Sequence, residues 1–157
     1  MQFDDARQLA LGLLAQHELN DWSFAFDHAR QRCGVCNYAT RRISLSRHFT
    51  RLNDTAAVRE VILHEIAHAL TGPGHGHGPR WRQTARRLGI QPQTCAPESI
   101  AMPQPAWAIV CTSCELTLAT RHRRSMNLAT RRCPHCGPQR GQLAWHSHQG
   151  SQASSNP

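Results

Sequence analysis

The segment 64-HEIAH-68, followed at once by 72-GPGHGHGPRWR-82, restricts the fold of this chain most tightly. In an α-helix, residues four apart lie on one face, one turn above each other. His64 and His68 can therefore direct two imidazoles at one point, and Glu65 approaches that point from beside them. The neighbours Val61, Ile62, Leu63, Ile66, Ala67, Ala69 and Leu70 are apolar. Three polar side chains in so apolar a helix are costly to bury without partners, and a metal ion with its water supplies partners. The pattern predicts a helix over 54–71, with Asn53, Asp54 and Thr55 as N-cap candidates and Gly72 and Pro73 as its stop.

H-E-x-x-H on a helix is the arrangement of zinc metallopeptidases, with the two histidines as ligands and the glutamate acting on water. A catalytic zinc takes three protein ligands and keeps one position open. The chain must turn back to give the third, and 72-GPGHGHGP-79 is a short reversal. His75 and His77 are both physically possible there. His77 is favoured because it stands just before a second helix, predicted from Pro79 to Leu88 and ended by Gly89. His75 sits amid glycines and loses more conformational freedom on binding.

Upstream, residues 3–19 read as an amphipathic helix with Asp4 and Asp5 at its positive end. The alternation in 22-WSFAF-26 predicts a strand, 33-CGVCNY-38 a turn, and 42-RISL-45 a second strand. Pro92, Pro97, Pro103 and Pro105 mark residues 90–106 as a connection with a boundary inside it. The division expected is a core over 1–92, a linker over 93–106, a cysteine-bearing module over 107–146 and a disordered polar tail over 147–157.

The chain has seven cysteines. No apolar run approaches membrane-spanning length, and the acidic, mixed N-terminus is no secretory signal, so a soluble cytoplasmic protein without a membrane partner is expected. In that setting cysteines point to metal or buried thiols rather than disulfides. Cys111, Cys114, Cys133 and Cys136 form CxxC…CxxC with positions 115–132 between the pairs, spacing that suits a closed, structural four-cysteine zinc. This predicts a zinc ribbon, with strands such as 116–121 and 128–132 in the gap and His135 as a spacer. Cys33 and Cys36 could be half a metal site or a redox pair, but nothing supplies the other half, Cys95 alone being insufficient, and the pair reads as small buried residues flanking a turn.

All 18 basic residues are arginine and the formal net charge is +8. Arg121, Arg123, Arg124, Arg131, Arg132 and Arg140, with His122, make the ribbon basic, and Trp107 or Trp145 could add stacking. Such a surface suits phosphate backbone contact with little sequence selectivity, so DNA is the expected partner. Arg80, Arg82, Arg86 and Arg87 form a second cluster after His77.

The segment resembles the SprT-like family of zinc metallopeptidases, which includes the Spartan proteases. That family carries H-E-x-x-H, a loop of variable length, then a histidine followed by Gly and, four residues on, an aromatic residue. His77, Gly78 and Trp81 fit; Pro79 stands where His75 would need the aromatic. The upstream 22-WSFAFDHARQRCGVCNYATRRISLS-46 is similar to the family's strand, turn and strand, and a C-terminal zinc ribbon completes a likeness spanning roughly residues 5–145. The loop between His68 and His77 is shorter than in some members, so substrate choice does not carry over. The resemblance implies an α+β, zincin-like metallopeptidase core with an HExxH active-site helix, followed by a small β zinc ribbon. It implies a catalytic zinc on His64, His68 and His77, Glu65 as catalytic base, a second, structural zinc, a protein substrate, and association with DNA or the nucleoid. Tyr38 and several arginines are oxyanion-stabilising candidates without geometry. The alternative reading is a non-enzymatic, zinc-containing nucleic-acid-binding protein, against which Glu65 argues, because a structural site needs no such carboxylate.

Overall fold

Helix α3, Thr55–Thr71, is the axis of the first folded unit. Asp54 caps it, accepting from the Ala57 N–H at 2.9 Å. Gly72 ends it at a φ of 87°, which an L side chain rarely adopts. In this computed structural model the described residues are 1–92 and 100–147. They fall into two units that divide after Pro103.

In the first unit, α1 (Phe3–Gln16) packs on α3. It buries Ala6, Ala10, Leu13 and Leu14, the face that its apolar spacing predicts. Strands β1 (Ser23–Asp27), β2 (Gly34–Asn37) and β3 (Arg42–Ser46) form a sheet in the order β1-β3-β2. The pairing of β1 with β3 is parallel and that of β2 with β3 antiparallel. The central strand β3 is buried on both faces and carries serines into the interior. Each finds a partner: Ser44 donates to Asp27 at 2.8 Å and Ser46 to the Ala29 carbonyl at 2.5 Å. Ile43 and Leu45 meet Val58, Ile62, Ile66 and Trp81 in the core.

Two local expectations change. Gly34 and Asn37 are poor strand formers and predict a turn over 33–38; instead these residues supply strand β2, which pairing with β3 and packing on α3 stabilise. A short helix, α2 (Arg47–Leu52), follows β3 and buries Phe49 and Thr50; at six residues it is too short to show a period. Helix α4 (Pro79–Arg87) begins on the proline as expected, with Trp81 and Ala85 inward. Ile100 and Met102, placed in the linker by sequence, pack on this unit's core.

The second unit is a three-stranded sheet in the order β5-β4-β6, all antiparallel. Its strands are β4 (Trp107–Cys111), β5 (Thr117–Arg121) and β6 (Leu143–Ser147). The strand expected at 128–132 does not form. That stretch is a loop, closed by the Arg131 N–H on the Leu128 carbonyl at 3.1 Å and by Arg132 on the carbonyls of Ala129 and Pro138. The partner strands come instead from outside the gap, at 107–111 and 143–147. A one-turn helix, α5 (Gly137–Arg140), follows the second cysteine pair. Cys95 and the tail from 148 onward lie outside the described residues. Among the described residues no helix is long and apolar enough to cross a membrane.

Candidate metal centres and active-site cleft

One helical turn places His64 and His68 side by side on α3, and the loop after Gly72 returns His77 to them. Gly74 and Gly76 take φ values of 83° and 47°, the left-handed conformations that let the reversal close in so few residues. The Nε2 atoms of His77 and His64 lie 2.9 Å apart, and those of His77 and His68 3.0 Å. Zinc–nitrogen bonds of about 2.05 Å at tetrahedral angles separate ligand nitrogens by about 3.3 Å, so this donor set fits the ion within a few tenths of an ångström. Burial, reinforced by the neighbouring imidazoles, pushes His64 and His68 down to about 4. Both are then neutral at physiological pH, the state a ligand needs. His75, by contrast, is outside the cluster, with its ring 3.5 Å from the Arg80 guanidinium.

Trp81 floors the three imidazoles. It is fully buried, with its ring centroid 4.7 Å from His64, 5.3 Å from His68 and 4.5 Å from His77. The HGPRW motif thus does two things: it presents the third imidazole and packs a wall behind all three.

Glu65 is buried on the opposite flank, against β2. Desolvation pushes its carboxyl up to about 7, opposed by the charge of Arg32 and by a hydrogen bond from the Cys36 backbone N–H. A carboxyl poised there can take and release a proton near neutral pH. Its closeness to β2 explains Gly34: a Cβ at that position would stand 3.0 Å from Glu65 Cγ, Glu65 Oε1 and Leu45 Cδ2. Glycine inside a strand often marks such close approach, and this signal was present in CGVCNY. We predict that Gly34→Ala costs about 1–3 kcal/mol by overpacking and displaces the carboxylate. Thermal melting should then fall by several degrees, with a larger relative loss of any Glu65-dependent activity; two unchanged values would contradict the contact.

Tyr38, at the far end of β2, donates its hydroxyl to the His68 carbonyl at 3.1 Å. That carbonyl also accepts from the Gly72 N–H at 3.0 Å. The phenol thus braces the end of the helix, and its hydroxyl also lies within hydrogen-bonding reach of Cys36. Cys33 and Cys36 line the same cleft. Burial and then the Glu65 charge push the Cys36 thiol up to about 12, which leaves it protonated and unreactive.

In the second unit Cys111, Cys114, Cys133 and Cys136 converge. Sulfur–sulfur separations are 3.8 Å for Cys111–Cys136 and for Cys114–Cys133. Zinc–sulfur bonds of about 2.3 Å give tetrahedral edges of about 3.8 Å, whereas a disulfide would need about 2.05 Å. Backbone N–H groups of Cys114 and Ser113 pull the Cys111 thiol down to about 7, while hydrogen bonding to Cys114 and then burial push Cys136 up to about 12, so the thiols share protons that a metal would displace. His135 is exposed in the second knuckle and outside the cluster.

Arg123, Arg124, Arg131, Arg132 and Arg140 are exposed, and Arg121 and His122 half-buried. Arg124 stacks over Trp107 at 4.5 Å. Arg132 spends Nε and Nη1 on the carbonyls of Pro138, Ala129 and Arg131. Over 104–147 the only acid is Glu115, and among the described residues none of these arginines forms an ion pair. The guanidinium charge on this unit is therefore almost uncompensated.

Three imidazoles from a helix and the reversal after it, beside a buried glutamate of the same helix, make the first unit a metallopeptidase centre in class. Residues 5–100 match the SprT-like family, and the chain belongs to it. Among solved structures, the crystal structure of the metallopeptidase zymogen of Methanocaldococcus jannaschii jannalysin is similar, at 17% identity and a TM-score of 0.45, over 52% of this chain and 79% of that one. No curated protein matches.

Proposed function

We propose that this chain is a zinc-dependent endopeptidase that works on DNA and cleaves proteins bound there, with one catalytic and one structural zinc. The convergence of the His64, His68 and His77 Nε2 atoms beside buried Glu65 carries the hydrolase reading. When bound, zinc supplies Lewis acidity toward a water and the scissile carbonyl. Glu65 takes the proton from the attacking water at its carboxylate and returns it to the leaving amine. Its raised pKa makes both transfers accessible. Strand β2 is the sheet edge beside α3, and an extended peptide can add to such an edge by main-chain hydrogen bonds. Trp81 holds the imidazole ligands in place, and Tyr38 holds the helix end that carries His68.

The DNA part rests on the ribbon. Arginines without counter-charges, one of them stacked on Trp107, suit phosphate backbones and single-stranded bases. If about four of them reach phosphates, affinity of the full chain for DNA should fall roughly a hundredfold between about 50 and 200 mM salt. Replacing Arg123, Arg124 and Arg131 by Ala should weaken binding and flatten that slope. Fluorescence anisotropy with a labelled oligonucleotide measures both; salt-independent binding, or none, would remove DNA from the proposal.

A further inference from the structure

The cleft that holds His64, Glu65 and His68 has a volume of about 700 Å³ and extends beyond them. Toward His77 it is bordered by Gly74, Gly76 and Tyr38. Its lining also includes the apolar Val35, Val61, Ile90, Ile100 and Met102; Val61 stands one turn N-terminal to Glu65 on α3, and Ile100 and Met102 flank Ala101, which is bonded to Asn53 just before that helix. That wall is held in a defined place. Asn53, a buried residue that sequence offered only as an N-cap, donates from Nδ2 to the Ala101 carbonyl at 2.8 Å. Its Oδ1 accepts the Ala101 N–H at 2.9 Å, and Nδ2 also reaches the Phe49 carbonyl at 2.7 Å. Both backbone groups of Ala101 are thus paired to one side chain, which leaves Ile100 and Met102 to line the cleft. Met102 Sδ lies 3.6 Å from Cys33 Sγ, closing the wall against the residue that precedes β2.

We propose that this end of the cleft is a subsite for a bulky apolar side chain of the peptide, with Ile100 and Met102 as its specificity determinants; this rests on the hydrolase reading. Val61 precedes Glu65 by four residues, about 6 Å along the helix axis. An extended peptide advances about 3.3 Å per residue. The side chain received there therefore belongs to a residue within about two positions of the scissile bond. Besides Glu65, two charged groups border the cleft. Arg32 is engaged by Asp27 at 2.8 Å, and Glu60 repels an acidic residue. Val61, Ile100 and Met102 offer a desolvated charge no hydrogen-bond partner.

The test uses the full-length, zinc-loaded protein and a peptide library varied at the positions flanking the cleavage site. Leu, Met or Phe at one of the two nearest positions should raise kcat/KM ten- to a hundredfold over Asp or Ser, on the scale of apolar pocket discrimination. Met102→Arg should reduce that ratio to within a few-fold, with zinc content and melting temperature confirming a folded protein. Ile100→Ala, which deepens the wall, should move the preference toward Phe and Trp. Peptide binding to Glu65→Gln, read by fluorescence polarisation, separates the two levels of the argument. Selective binding of apolar peptides without cleavage by the wild type keeps the subsite and overturns the hydrolase reading. Cleavage without apolar preference, a preference for Lys, or Met102→Arg with wild-type selectivity overturns the subsite.

Discussion

His77→Ala is expected to abolish metal binding at the three-histidine centre, and His75→Ala to leave it intact. Only His77 brings its Nε2 to within 3.0 Å of His64 and His68; His75 faces Arg80. Loss of an outer partner of a metal ligand already costs about 10- to 100-fold in affinity, so loss of one of three direct ligands should exceed that. Metal analysis after dialysis against a weak chelator reads the result. A zinc on the four ribbon cysteines would serve as an internal standard, so the expected stoichiometry falls by one ion in His77→Ala and by none in His75→Ala. Because burial holds His64 and His68 near 4 rather than 6.5, these two should not release zinc by protonation as the pH falls from 7 to about 5.5.

Glu65→Gln is the complementary case: zinc stays and hydrolysis goes. The amide would keep the shape of the side chain against Gly34 but cannot accept the proton, and general acid–base catalysis by one group is typically worth about 10²–10⁴ in rate. The pH profile carries the same signature. The carboxyl must be ionised to act, so kcat/KM falls as pH drops through its pKa. Burial, partly offset by the Arg32 charge and the Cys36 N–H, raises that value to about 7, and a neighbouring dication favours the charged form and draws it lower. The acid limb of the wild type should therefore lie below 7. A Glu65→Gln protein of full activity would remove Glu65 from the mechanism.

Much of the site was legible because its determinants are local. HEIAH needs one helical turn, and the glycines after it can only make a reversal. The cysteine pairs are knuckles whose spacing is their geometry, and the sulfur separations agree with it. What escaped were features decided by partners distant in sequence. CGVCNY looks like a turn until β3 pairs with it and α3 packs over it. Of the ribbon's three strands only β5 lies in the gap between its cysteine pairs, close to the expected 116–121; β4 and β6 lie outside it, and β4 pairs with β5 on one side and with 143–147 on the other. The N-cap of α3 is Asp54, and its neighbour Asn53 reaches Ala101 instead. Tyr38 looks free to serve chemistry, but its hydroxyl braces the His68 carbonyl.

The most direct measurement is the cleavage of a DNA-binding protein by the zinc-loaded full chain, with and without DNA, beside Glu65→Gln. The account predicts cleavage by the wild type, faster when DNA holds enzyme and substrate together, and none by Glu65→Gln at equal zinc content. No cleavage by the wild type under either condition, or equal cleavage by Glu65→Gln, would contradict it.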